Sequence, residues 1–175
     1  MHWLLQIALI FQIALVSCSR PSSVTPPVTE ETRRIYVSDA EAIFFYNVRS
    51  LYYSRTEDKT SYIRSFHYKD HPAECHIIPK IRHAYDRNEA YLILELLQPT
   101  DSLTIIWVDP KNTMQGKWVH PVGHPVKDYL FAQKLIQNYR RGVQLYKEEE
   151  PLFNPNSFKS FCVVFEDYCK LISLK

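Results

Sequence analysis

Glycine is scarce in this sequence, with three residues in 175. Left-handed backbone and tight turns draw on glycine, so its scarcity argues against a tightly turned barrel. A charge excess of one sign is also lacking. The net charge is +2 with the signs interspersed, which leaves no basic stripe for a nucleic acid. Gly-x-Ser-x-Gly, a P-loop and His-Glu-x-x-His are all absent, and no cofactor or enzyme activity is expected. Beyond the first eighteen residues no apolar run approaches the length of a membrane span.

What is present begins with an apolar leader. Met1 to Cys18 includes Trp3, Leu4, Leu5, Ile7, Leu9, Ile10, Phe11, Ile13, Leu15 and Val16. That is an h-region of signal-peptide length, and Val16-Ser17-Cys18 offers small residues for cleavage before Ser19. The expectation is a secreted, extracellular protein. Leu15-Val16-Ser17-Cys18 also fits a bacterial lipoprotein box that would lipidate Cys18, although only His2, and no basic residue, precedes the apolar run. Residues 19–37, rich in Pro, Ser and Thr, read as a flexible lead-in. Residues 38–175 are then one domain.

Three cysteines remain after the leader: Cys75, Cys162 and Cys169. An oxidising compartment favours disulfides. If Cys162 to Cys169 is helical, seven residues separate the two by about 10.5 Å along the axis, beyond the reach of a bond between them. At most one of them pairs with Cys75. Cys75 with Cys169 is the favoured pairing, closing a long loop.

Aromatic and β-branched residues are abundant, with twelve Tyr, nine Phe and three Trp, and such residues favour sheet. Ser38-Asp39-Ala40-Glu41 has capping-box spacing, and Ile43, Phe44, Val48, Leu51 and Tyr52 follow at helical spacing. A short helix is predicted over about Asp39 to Ser50. Strands are predicted over Tyr62–Tyr68, over Cys75–Ile81 with Pro79 marking an edge, bulge or end, and over Tyr91–Leu97. The last of these is expected to pair with Leu103–Val108 as a hairpin. Asp109-Pro110-Lys111-Asn112 reads as a turn. Tyr129–Ile136 and Val143–Lys147 are the last predicted strands, and Glu148 to Pro151 a solvated loop. An amphipathic helix carries Cys162 and Cys169. Several short strands at this spacing imply a sandwich or barrel. A closed antiparallel barrel accounts for apolar runs that line an interior cavity. The expected fold class is all-β with flanking helices.

Histidines gather at His67, His71 and His76 beside Cys75, and at His120 and His124. Pro72 and Pro121 break these segments as helices, so they read as loop histidines, and no metal is expected. Glu95 and Asp128 each sit in or beside an apolar strand. A carboxylate facing a cavity needs a compensating cation, while strand alternation offers solvent as the alternative. Trp107 and Tyr146 offer ring faces to an ammonium group, or ordinary core packing.

Three features resemble one family. Ser38-Asp39-Ala40 is followed by Phe44 and Phe45, Glu74-Cys75 opens an early strand, and a late helix holds Cys162 and Cys169 with Phe165 and Tyr168. Together they resemble the tick salivary lipocalins, which include histamine- and serotonin-binding proteins. The resemblance implies a lipocalin-like antiparallel barrel that sequesters a host mediator, an amine or a lipid, in its cavity. Lys127-Asp128-Tyr129-Leu130 and Gln144-Leu145-Tyr146 stand where the family's amine signature has Cys-Asp-x-Leu and Glu-Leu-Trp. Asp128 would then face a cationic ligand, with Gln144, Tyr146, Trp107 and Glu95 in the wall. Gln144 in place of Glu makes a lipid nearly as fitting as an amine. The alternative is a secreted module that engages a host protein through its surface.

Overall fold

The structure, a computed structural model, describes residues 36–72, 75–98 and 100–172. The leader Met1–Cys18 with its cleavage or lipidation site, most of the lead-in, and Glu74 lie outside the described residues.

The helix predicted near Asp39 is present, though irregular. We call it α1: an α-helical stretch Asp39–Phe44 runs through a π-helical turn Phe45–Arg49 into a 3-10 turn Ser50–Tyr52. Ser38 caps it, its side chain accepting from the Glu41 N–H at 3.4 Å. Four strands follow as a meander: β1 Tyr53–Asp58, β2 Ile63–Tyr68, β3 Ile77–Ala84 and β4 Glu89–Leu96. The second sheet holds β5 Ser102–Asp109, β6 Met114–Pro121, β7 Gln144–Lys147 and β8 Glu150–Pro151 in the order β6-β5-β7-β8. Between β6 and β7 runs α2, Pro125–Arg140, and α3, Pro155–Leu171, closes the described chain.

The expected lipocalin-like closed barrel is therefore not what forms. Among the described residues the strands make two open four-stranded antiparallel sheets, and helices close the core. A helix that covers a sheet face buries the apolar side chains a barrel would have turned inward. Two local readings changed with it. Tyr129–Ile136 is helix, not strand, because Phe131, Ala132, Leu135 and Ile136 are the buried positions, and that spacing has a period of 3.6. Tyr91–Leu97 and Leu103–Val108 do not pair: β4 ends the first sheet and β5 sits inside the second.

Scarce glycine did not prevent hairpins. The chain turns instead on Tyr62 at φ 55°, Asn88 at 51° and Thr113 at 52°, accepting left-handed backbone at residues with a Cβ. Asp109 supports the β5–β6 turn by accepting from the Lys111 and Asn112 N–H groups at 3.0 and 3.4 Å. Pro79 lies within β3, but the β2–β3 ladder stops at Lys80. A residue without an N–H ends that ladder at its position.

The main core lies between the inner face of the first sheet and α3. Ile77, Ile81, Leu92 and Leu94 meet Phe161, Val164, Tyr168 and Leu171, all almost fully buried. Asn154 and Ser157 form a reciprocal cap at the start of α3, which fixes where that stripe begins. Helix α2 packs on β4 and reaches β6 and β7.

Candidate functional site

The residues named from sequence do not converge. Asp128, in the first turn of α2, is fully buried. Its Oδ2 accepts from the backbone N–H groups of Leu94 at 2.9 Å and Gly123 at 3.1 Å, and Oδ1 lies 2.8 Å from His120 Nε2. The His120 ring in turn stacks on Phe131 at 4.1 Å between centroids. This carboxylate joins β4, β6, the β6–α2 turn and α2. Its two oxygens are engaged by groups of the fold itself.

Glu95 is exposed on β4 and pairs with Lys80, whose ammonium burial pulls below its usual range. Trp107 stacks on Trp118 at 5.8 Å and lies so close to Gly116 that a Cβ there would sit 2.6 Å from the indole. Tyr146 donates to Gln144 Oε1 at 3.0 Å. In the β5–β7 register Trp107 is opposite Leu145, whereas Ile106 and Val108 are opposite Tyr146 and Gln144. Gln144 and Tyr146 thus lie on the other face of the sheet from Trp107. Period-2 alternation separates residues that the signature would group.

The expected bond between Cys75 and Cys169 is not present, and Cys162 and Cys169 are free thiols. Cys75 shares a cleft with Asn154 and Ser157 at the start of α3. Cys169 is twelve residues beyond Ser157, about 18 Å along the helix, out of disulfide range. Burial raises the Cys162 thiol and pushes Cys169 up to about 11, so neither is poised as a thiolate nucleophile. Among the described residues no three His, Cys, Asp or Glu side chains gather around a metal-sized point.

A second buried carboxylate was not legible in the sequence. Asp167 on α3 takes both arms of the Arg49 guanidinium, at 2.9 and 2.7 Å, and the Tyr53 hydroxyl at 2.8 Å. The hydrogen bond to Asp167 holds the Arg49 pKa up, and burial followed by the Asp167 charge raises Tyr53. This fork pins α1 to α3 and so decides which face of α1 turns inward. Ala42, Phe45, Tyr46 and Arg49 have i, i+3, i+4, i+7 spacing. Phe45 packs edge-on against Phe66 at 5.1 Å, and Tyr46 reaches His83 Nδ1 at 2.6 Å.

The apolar residues that marked this helix in the sequence all face outward. Exposure is 61% at Ile43, 51% at Phe44, 44% at Val48, 70% at Leu51 and 49% at Tyr52. Phe44, Val48, Leu51 and Tyr52 form a second, equally regular stripe at i, i+4, i+7, i+8. A contiguous apolar patch on a surface marks an interaction site. Beside it runs β1, an end strand of the first sheet, with every residue after Tyr53 exposed. The structure thus places one apolar flank and one open strand edge next to each other.

The chain matches no known protein-family model, no curated protein and no solved structure.

Proposed function

We propose that this protein is a secreted, non-catalytic module that binds another protein through the outward flank of α1 and the adjoining strand β1. The observation that carries this reading is the second apolar stripe of α1. Two stripes of similar composition share one helix, and the fold uses only one. Side chains such as Phe44 and Leu51, 51% and 70% exposed, forgo part of the roughly 1.5–3 kcal/mol that full burial of each would give. A docking partner recovers that energy. The test is a double substitution, Ile43→Ser with Leu51→Ser. Unfolding should keep the midpoint of the unsubstituted chain, because these side chains touch little of their own fold. A fall of several degrees would show that they serve the core and would end the reading.

A second reading retains small-molecule binding, placed outside any barrel. An open cleft of about 310 Å³ lies between Cys75-His76 and the start of α3, with Glu150 and Pro151 on its wall. That volume reaches the lower end of ligand pockets, and Glu150, paired with His76 at 3.1 Å, supplies a carboxylate for an amine. Calorimetric titration with histamine, serotonin and a fatty acid tests it. Heat lost on Glu150→Gln supports the cleft, and no heat with any of the three removes it.

A further inference from the structure

The open edge of β1 is self-complementary. In an antiparallel ladder, residues of one strand alternate between bonding one neighbour and facing the other side. The Lys69 N–H donates to the Tyr52 carbonyl at 3.0 Å. That contact sets the phase: Tyr52, Ser54, Thr56 and Asp58 turn their main-chain groups toward β2, and Tyr53, Arg55 and Glu57 turn theirs outward. Among the described residues β2 is the one neighbour of β1 in its sheet.

A second antiparallel strand must set its own outward residues against these. For a second copy related by a two-fold axis, axes at Ser54 through Asp58 satisfy that rule along this short strand. An axis at Ser54 opposes Tyr53, whose N–H already donates to the Ser50 carbonyl, to Arg55 and offers no ion pair, and an axis at Asp58 opposes aspartate to aspartate. An axis at Arg55 opposes arginine to arginine. An axis at Glu57 opposes glutamate to glutamate, and Arg55 to Lys59. An axis at Thr56 opposes Arg55 to Glu57 of the second copy, twice, and Ser54 to Asp58. Only this last register sets opposite charges across the ladder without a like-charge pair, and opposite charges directly across a ladder stabilise it. It supplies four main-chain hydrogen bonds and sets Arg55 of each copy beside Glu57 of the other, a carboxylate that also accepts from Arg64 of its own sheet at 3.2 Å. Arg55 and Glu57 share the face of β1 that Tyr53 turns toward Phe45, the face on which α1 lies. The axis therefore places α1 of both copies on the same face of the joined sheet.

We propose that the partner is a second copy of this chain, joined β1 to β1 about Thr56 into a continuous eight-stranded sheet. This rests on the surface reading above and names its occupant. Natural edges are blunted by charges, prolines or bulges, whereas this one sets opposite charges against its own copy in one register.

The test is sedimentation equilibrium of the full chain across a hundredfold range of concentration, with the Arg55→Glu and Glu57→Arg variants measured singly and mixed. The unsubstituted chain should be dimeric at the upper end. Each variant alone opposes like charges and should be monomeric. The equimolar mixture restores opposite charges and should give the heterodimer. Arg55→Pro removes one outward N–H while leaving the β2 ladder intact, and it should be monomeric with an unchanged unfolding midpoint. A chain that stays monomeric throughout overturns the second copy as partner; with the Ile43/Leu51 double substitution still neutral for stability, the flank then belongs to a different protein. A dimer that survives both single variants overturns the register. A destabilised Ile43/Leu51 variant overturns this proposal and the surface reading together.

Discussion

Helices α1 and α3 carry comparable apolar stripes with opposite fates. Along α3, Phe161, Val164, Tyr168 and Leu171 are almost fully buried against β3 and β4. Along α1, Phe44, Val48, Leu51 and Tyr52 stand in solvent while Phe45 alone is fully enclosed. Hydrophobic content does not separate them. The difference lies in what each helix is tied to. A capped start and a sheet face beneath orient α3. The Arg49–Asp167 fork and the Phe45–Phe66 contact rotate α1 so that its second stripe points away.

Removing the tie should have the largest effect. Asp167→Ala strands the Arg49 guanidinium and the Tyr53 hydroxyl without their partner. Loss of one side of a buried pair destabilises by roughly 3–5 kcal/mol, read as a lowered midpoint in urea. A change below about 1 kcal/mol would mean that the fork does not orient α1. Truncation then contrasts the stripes directly. Phe161→Ala should cost about 3–5 kcal/mol as a core cavity, and Phe44→Ala should stay within about 0.5 kcal/mol, as at an exposed site. Equal losses would erase the distinction between the helices.

A smaller, pH-dependent effect sits where α1 meets β3. Burial pushes His83 down to about 4, and burial also lowers His71 and His67. The folded chain holds these imidazoles neutral while the unfolded chain binds protons below about 6.5. Their contribution is therefore complete above that pH and is lost progressively toward pH 4. Chemical denaturation at pH 7 and pH 5 should show the acid side weaker, by at most about 2 kcal/mol from His83. His83→Gln should flatten the dependence, and an unchanged slope would remove His83 as its source.

The sequence was legible where pattern and local chemistry act alone. The Ser38 cap, the β5–β6 turn at Asp109 and the last helix follow from residues near each other in the chain. It was illegible where distant groups decide. Asp128 has the same apolar neighbours whether it faces a ligand or clamps Leu94, Gly123 and His120; the three donors come from elements that meet only after folding. Tyr129 to Ile136 supports strand by its residue types and helix by its burial period, and the sheet edge beneath α2 selects helix. The barrel expectation failed for the same reason, since apolar runs do not state whether a sheet or a helix will cover them. On α1 both stripes have helical spacing, and only groups distant in the chain, Asp167, Phe66 and His83, distinguish them.

The proposed pairing of β1 with a second copy is tested most directly by amide hydrogen exchange along β1 at high and low protein concentration. The account predicts that Thr56 and Asp58, bonded to β2, stay protected at both, while Arg55 and Glu57 are slow in concentrated protein and fast on dilution. Fast exchange at Arg55 and Glu57 at every concentration would contradict it.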